Sequence, residues 1–254
     1  MSKYKYGKSA PLRKLTLPAL GDFLDKAAAW PTVPPEGWEY QVPTNALSIL
    51  GNDQWGDCTC AGVMHLLQAQ SYTTGRPIQP TTEEALALYA ATTGFDASAG
   101  PSGSNPTDNG AACTTVLDYW QKTGVTVGGQ VHKIVGYASL DVSSLAQMRY
   151  AAYNFGGLYL GINCPAECQE NTNNWDFAPG LPIEGGHCIV QLGQGADGGH
   201  VDSWGMNIPV SNQFILGYVD EAYVVISEDW FNLSTGKSPA GLDLNGLLAA
   251  MKTL

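Results

Sequence analysis

The spacing of apolar residues changes halfway along this chain, and that change limits the folds open to it. As far as residue 155 they recur at helical intervals; beyond it they come in short β-branched or aromatic runs punctuated by glycine. CTCAGVMHLLQAQ (58–70) places Ala61, Met64 and Leu67 at steps of three behind Asp57, a suitable N-cap. TTEEALALYAATTG (81–94) opens at a Thr82 cap and closes at Gly94. AACTTVLDYWQKTG (111–124) carries Val116, Tyr119 and Trp120 on one face, and residues 143–155 follow a cap-like DVSS. The segments 156–163, 187–195, 200–205, 213–219 and 221–230 then read as strands. Helices first and strands second describe an α+β chain, its helical N-terminal half packed on a C-terminal antiparallel sheet or barrel. A cleft between two such halves is a natural site.

Composition narrows the function. Of 254 residues, 44% are hydrophobic, enough for a substantial core, yet no obvious apolar run reaches membrane-spanning length. Twelve basic against twenty-three acidic residues leave a net charge of −11, which argues against a nucleic-acid footprint. The N-terminus has lysines but no apolar run of the secretory kind, so a cytoplasmic or virion-associated protein is expected. The six cysteines are then free thiols by default, although Cys164 and Cys168 in CPAEC are spaced to close a small loop in an oxidising compartment. Lys3, Lys5, Lys8, Arg13 and Lys14 crowd into the first fourteen positions, and a proline-rich stretch follows at 31–43. Residues 1–45 therefore read as an extended arm, either holding a protein partner or solvated as a tail, and residues 46–254 as one folded domain.

Chemistry concentrates in Gly51-Asn52-Asp53-Gln54-Trp55-Gly56-Asp57-Cys58-Thr59-Cys60-Ala61. A cysteine at a helix start faces unpaired amides and the positive end of the dipole, which favour the nucleophilic thiolate. Such a nucleophile needs a base, and the base needs an orienting group. His187, in Glu184-Gly185-Gly186-His187-Cys188, opens a strand behind two glycines that let another chain approach closely. On a neighbouring strand Asp202 would accept a hydrogen bond from His187, with Trp204 shielding it. Gly56, Gly185, Gly186 and Trp204 would line the cleft. His65 lies two turns along the helix from Cys58 and suits a core or capping role. Paired Cys-x2-Cys knuckles, a P-loop, G-x-G-x-x-G and H-E-x-x-H are absent, so no metal or cofactor is expected.

A cysteine at a helix N-terminus, then Gly-His before an apolar strand, then a polar residue two before Trp-Gly, resembles the papain-like cysteine peptidases over roughly residues 49–230. It is also similar to bacterial and phage proteins with a Gly-Asn-Asp-x-x-Gly-Asp-Cys-Thr signature and a late Asp-Glu-Ala-Tyr strand. The resemblance implies a hydrolase of peptide or amide bonds with Cys58 as nucleophile, His187 as base and Asp202 as orienting group. It also implies an oxyanion donor six residues before the cysteine: Asn52 if Cys58 is the nucleophile, Gln54 if it is Cys60. Asp202 stands where the family has asparagine, and no Cys-Gly-Ser-Cys-Trp run occurs. A catalytically silent structural or attachment protein, such as one of a phage particle, is the alternative.

Overall fold

A computed structural model of the chain describes residues 3–11, 19–20, 34–232 and 235–251. The first long helix among the described residues, α1 (Cys58–Thr73), buries fourteen of its sixteen residues and so runs through the interior rather than along the surface. Asp57 stands at its N-cap but makes no side-chain cap. Helix α2 (Thr82–Thr93) begins in a capping box that uses Thr81, one residue before the expected Thr82. Its hydroxyl accepts from the Glu84 amide at 3.2 Å, and the Glu84 carboxylate accepts from the Thr81 amide at 3.0 Å. Gly94 ends α2 in the left-handed conformation. Helix α3 (Cys113–Lys122) follows, and α4 (Leu145–Phe155) starts at a Ser144 cap within DVSS.

The sheet is antiparallel, in the order β4 (Ile134–Ser139), β9 (Val219–Ser227), β5 (Leu158–Pro165), β6 (Ile183–Gln194), β7 (Gly198–Ser203), β8 (Met206–Ser211). Two residues of the expected arm, β1 (Trp38–Glu39), also pair with β6. A separate hairpin joins β2 (Val125–Val127) to β3 (Gln130–His132). The short helix α5 (Glu167–Glu170) follows β5, and α7 (Leu244–Met251) lies near the C-terminus.

Alternation along the strands splits the interior in two. Leu158, Leu160, Ile162, Ile189, Val224 and Ile226 pack with Met148 and Phe155 of α4. Tyr159, Val190, Leu192, Tyr223 and Val225 face the other way, onto α1, α2 and α3. Helices α1, α2 and α3 thus cover one face of the sheet, as expected of the helical half, while its last helix, α4, packs on the opposite face.

One expected strand is a helix. Residues 213–218 fall in α6 (Asn212–Tyr218), and only Val219 is in a strand, β9, because the Ser211 hydroxyl caps the Phe214 amide at 3.1 Å and Phe214, Ile215 and Tyr218 share a buried face. Apolar runs this short do not distinguish the two periods by themselves.

Candidate active site

The cleft between the halves holds the protein's own N-terminus. The Lys5 amide donates to the Asn52 carbonyl at 3.0 Å, Lys8 to Gly186 at 3.0 Å, and Ser9 to Ala111 at 3.0 Å, while the Ala111 amide donates back to the Gly7 carbonyl at 2.8 Å. The segment is thus an extended peptide bonded to both walls. The walls are bare where it passes. A Cβ on Gly186 would lie 2.3 Å from the Lys8 carbonyl oxygen, and one on Gly185 would lie 2.8 Å from the Tyr6 ring. Gly56 packs against Gly7. The chain that comes close to these glycines is the arm, residues 6–8. The rest of the expected arm is divided: residues 34–45 lie on the body through β1, and 12–18 and 21–33 fall outside the described residues.

Cys58 opens α1 and is 1% exposed. Burial pushes its thiol pKa well above the ordinary value, and Cys188 and Asp57 push it further, while the Cys188 and Gly7 amides facing the sulfur only partly offset this. The expectation of a depressed pKa therefore fails in this closed state, because loss of water outweighs the helix terminus. Asp57, fully buried, is likewise held above the usual carboxylate range.

His187 is also buried, and its imidazole pKa falls to about 3, first through burial and then through His65. Its Nε2 lies 2.8 Å from Ser203 Oγ, and Nδ1 has no hydrogen-bond partner among the described residues. Asp202, expected as the orienting group, is placed instead with an oxygen 3.7 Å from His65 Nδ1, and its carboxylate makes no hydrogen bond among the described residues. Adjacent strand residues face opposite sides, so Ser203 reaches the imidazole and its neighbour does not. His65 is anchored by the Ser48 carbonyl, 2.8 Å from Nε2.

Trp204 stacks on His187 with centroids 4.5 Å apart, and the arm's Tyr4 stacks on Trp204 at 4.4 Å. It sits at φ 53 in the tight β7–β8 turn with Gly205 at φ 69, a conformation unfavourable for tryptophan by roughly 1–2 kcal/mol. The stacking of the indole between Tyr4 and His187 offsets that cost and keeps the indole over the imidazole.

Consecutive arm residues link the two halves. Tyr6 meets the His187 ring edge-on at 6.0 Å, and the next residue, Gly7, faces the Cys58 thiol. The amide immediately after His187 faces the same thiol. Asn52 is buried in the turn, its side-chain amide donating to Trp55 O at 2.9 Å and Lys5 O at 3.3 Å. The alternative pair lies elsewhere: Cys60 Sγ is 3.7 Å from Thr92 Oγ1 of α2, and the Gln54 residue is exposed. Cys164 and Cys168 are buried free thiols in mutual contact. Among the described residues no group of three or more His, Cys, Asp or Glu gathers as a metal site, and no helix is long and apolar enough to cross a membrane.

Ser203 and the arm residues Tyr6 and Lys8 were missed in the sequence. Ser203 carried a signal, being in the same Asp-Ser-Trp run, but its strand face was not legible.

The architecture is the papain-like fold. Solved structures similar to the chain include xylellain, a cysteine protease from Xylella fastidiosa (TM-score 0.64, 14% identity, 88% of this chain and 96% of that one). Amb a 11, a ragweed pollen cysteine protease in its proform, gives a TM-score of 0.61 at 14% identity over 89% of this chain and 75% of that one. The Carica candamarcensis cysteine protease CMS1MS2 gives 0.55 at 14% identity over 76% and 98%. No protein-family model matches, and neither does any curated protein.

Proposed function

We propose that the protein is a cysteine hydrolase of peptide or amide bonds, with Cys58 as nucleophile and His187 as base, in a form closed by residues 4–9. The observation that carries this reading is the cleft's occupant: an extended peptide, hydrogen-bonded to both walls, with its Gly7 amide facing the Cys58 thiol. A surface that binds backbone in this way suits a peptide substrate.

When the arm leaves, water returns and the desolvation holding both groups neutral weakens. The α1 N-terminus then favours the thiolate, and the Cys58 proton passes to His187. The sulfur attacks the substrate carbonyl carbon, while the Asn52 amide and the Cys58 backbone N–H receive the oxyanion. His187 returns the proton to the departing amine, leaving a thioester. His187 then takes a proton from water, the hydroxide displaces the thiolate, and the acid is released. Ser203 orients the imidazole and Trp204 keeps water from that hydrogen bond.

The test uses the full-length Gly7→Ala chain and a fluorogenic peptide mixture. Turnover abolished by Cys58→Ala and by His187→Ala supports the reading. Turnover surviving Cys58→Ala overturns it. So does an inert chain whose cysteines all label slowly with a midpoint near the free-thiol value of about 8.5; that result leaves a structural or attachment protein.

A further inference from the structure

We propose that Cys164 and Cys168 are an oxidisable dithiol site whose disulfide releases the arm, so that exchange with a small-molecule disulfide opens the cleft. The inference depends on the closed state alone and not on hydrolysis. Both thiols are free and fully buried, side by side at the end of β5 and in α5. Helix α5 is also the arm's clamp. The Gln169 side chain, one residue beyond Cys168, accepts through Oε1 from the Lys3 amide at 2.8 Å and the Tyr4 amide at 3.0 Å. Its Nε2 donates to the Tyr4 carbonyl at 3.2 Å. The buried Tyr6 hydroxyl lies against Cys164 and Gln169. A single helical turn thus carries one sulfur and the group that grips the arm, and the arm covers the other sulfur. Cysteines serving only as small apolar residues need neither contact with each other nor a place beneath the arm.

The closed form protects the pair. Exchange needs a thiolate, and burial, then Cys168, push the Cys164 thiol above its ordinary pKa. When the arm leaves, Tyr6 uncovers Cys164. Its thiolate attacks one sulfur of oxidised glutathione, the S–S bond of glutathione breaks, and one glutathione thiolate departs. The Cys168 sulfur then attacks Cys164 in the mixed disulfide, and the second glutathione thiolate departs. The two protein thiol protons pass to the two glutathione thiolates; the protein loses two electrons and glutathione gains them. Bonded sulfurs lie closer together than free thiols can. Cys164 is fixed in the sheet opposite Gly185 of β6, so α5, only four residues long, takes up the movement and carries Gln169 with it. The disulfide also lacks an S–H to offer the Tyr6 hydroxyl. Oxidation and docking of the arm therefore oppose each other, whichever comes first.

The experiment uses the full-length Cys58→Ala chain, which removes both the proposed nucleophile and its own reaction with glutathione. The protein is incubated with oxidised glutathione, the Cys164–Cys168 bond is mapped by mass spectrometry, and tryptic cleavage after Lys5 and Lys8 reports the open population. The oxidised chain should be cut about 5- to 30-fold faster than the reduced one, the effect of losing one or two hydrogen bonds, and dithiothreitol should reverse the change. Cys168→Ala, or Cys164→Ala if that variant does not fold, should remove the response to glutathione. Gln169→Ala should be cut faster without oxidant and respond to it by less than about threefold, since the clamp is already gone. Failure of the bond to form in excess oxidised glutathione overturns the site. A bond that leaves the cleavage rate within about twofold, or a full response in Gln169→Ala, overturns its coupling to the arm.

Discussion

Gly7→Ala is the perturbation that most directly tests the closed state. A Cβ at position 7 would lie 1.8 Å from the Gly56 carbonyl oxygen, 2.2 Å from its carbon and 2.5 Å from its Cα. Both partners are backbone, so neither can swing aside, and the arm must retreat by about 1 Å or more before contact becomes tolerable. The Gly7–Ala111 bond of 2.8 Å and the adjoining Lys8–Gly186 and Ser9–Ala111 bonds of 3.0 Å do not survive such a shift. Two or three backbone hydrogen bonds at a net contribution of about 1 kcal/mol each amount to about 2–3 kcal/mol, or a 30- to 150-fold rise in the open population. The assay is iodoacetamide labelling at fixed pH, with the Cys58 peptide quantified by mass spectrometry. At 1% exposure the thiol reacts through openings, so its labelling rate tracks the open population. Gly37→Ala, whose added Cβ meets nothing within 4 Å, is the control and should label like the wild type. A Gly7→Ala rate within about threefold of wild type refutes the argument that the arm seals the sulfur.

Three further outcomes are expected. In the Gly7→Ala background, Ser203→Ala should lower kcat by about 10- to 100-fold with little change in KM, because the imidazole loses its Nε2 partner, whereas Asp202→Asn should stay within about threefold; steady-state kinetics on one peptide separates them. The His187 pKa is depressed from 6.5 to about 3, so its contribution to stability is fully present above pH 6.5 and is lost as pH falls towards 3. By about pH 5 the loss is about 2 kcal/mol; urea denaturation at both pH values measures it, and His187→Gln should remove that share of the slope. Cys60→Ala should leave turnover within about threefold and lower stability by about 1–2 kcal/mol, since its buried sulfur packs towards α2; a loss of activity matching that of Cys58→Ala would restore it as the nucleophile.

The division into helices and sheet was legible because it rests on periodicity, which is local. What failed was local information insufficient to decide a face or a period. QFILGYV reads equally as a buried strand or one face of a helix, and the Ser211 cap resolves it. Asp202 and Ser203 differ only in the side of β7 they occupy, and strand register is set by pairing with β6 and β8. The docking of residues 3–11 was out of reach for a further reason: lysine and tyrosine in a basic stretch read as a solvated tail unless the acidic socket is known. That socket forms from the start of β9, where Asp220 and Glu221 meet the Lys8 ammonium, and from Gly161 in the middle of β5, all far from Lys8 in sequence.

On the proposed reading, the position of the arm also explains how a peptide can lie on the Cys58 thiol without becoming its substrate. Gly7 turns its amide N–H towards the sulfur, and the Ala111 amide, just before α3 in the same half as Cys58, donates to its carbonyl oxygen. The electrophilic carbon is held by a donor other than the proposed oxyanion donors, so its polarisation does not favour attack by Cys58. The neutral thiol and neutral imidazole reinforce this, because both states follow from burial, and Gly7 and Tyr6 of the arm lie against the two groups. In the proposed hydrolase, occlusion and inactivation are thus one event. Wild-type protein incubated at neutral pH should keep its full-length mass, and loosening the arm should produce cleavage and thiol reactivity together; self-cleavage between Tyr6 and Lys8 while the Cys58 thiol remained shielded would contradict this account.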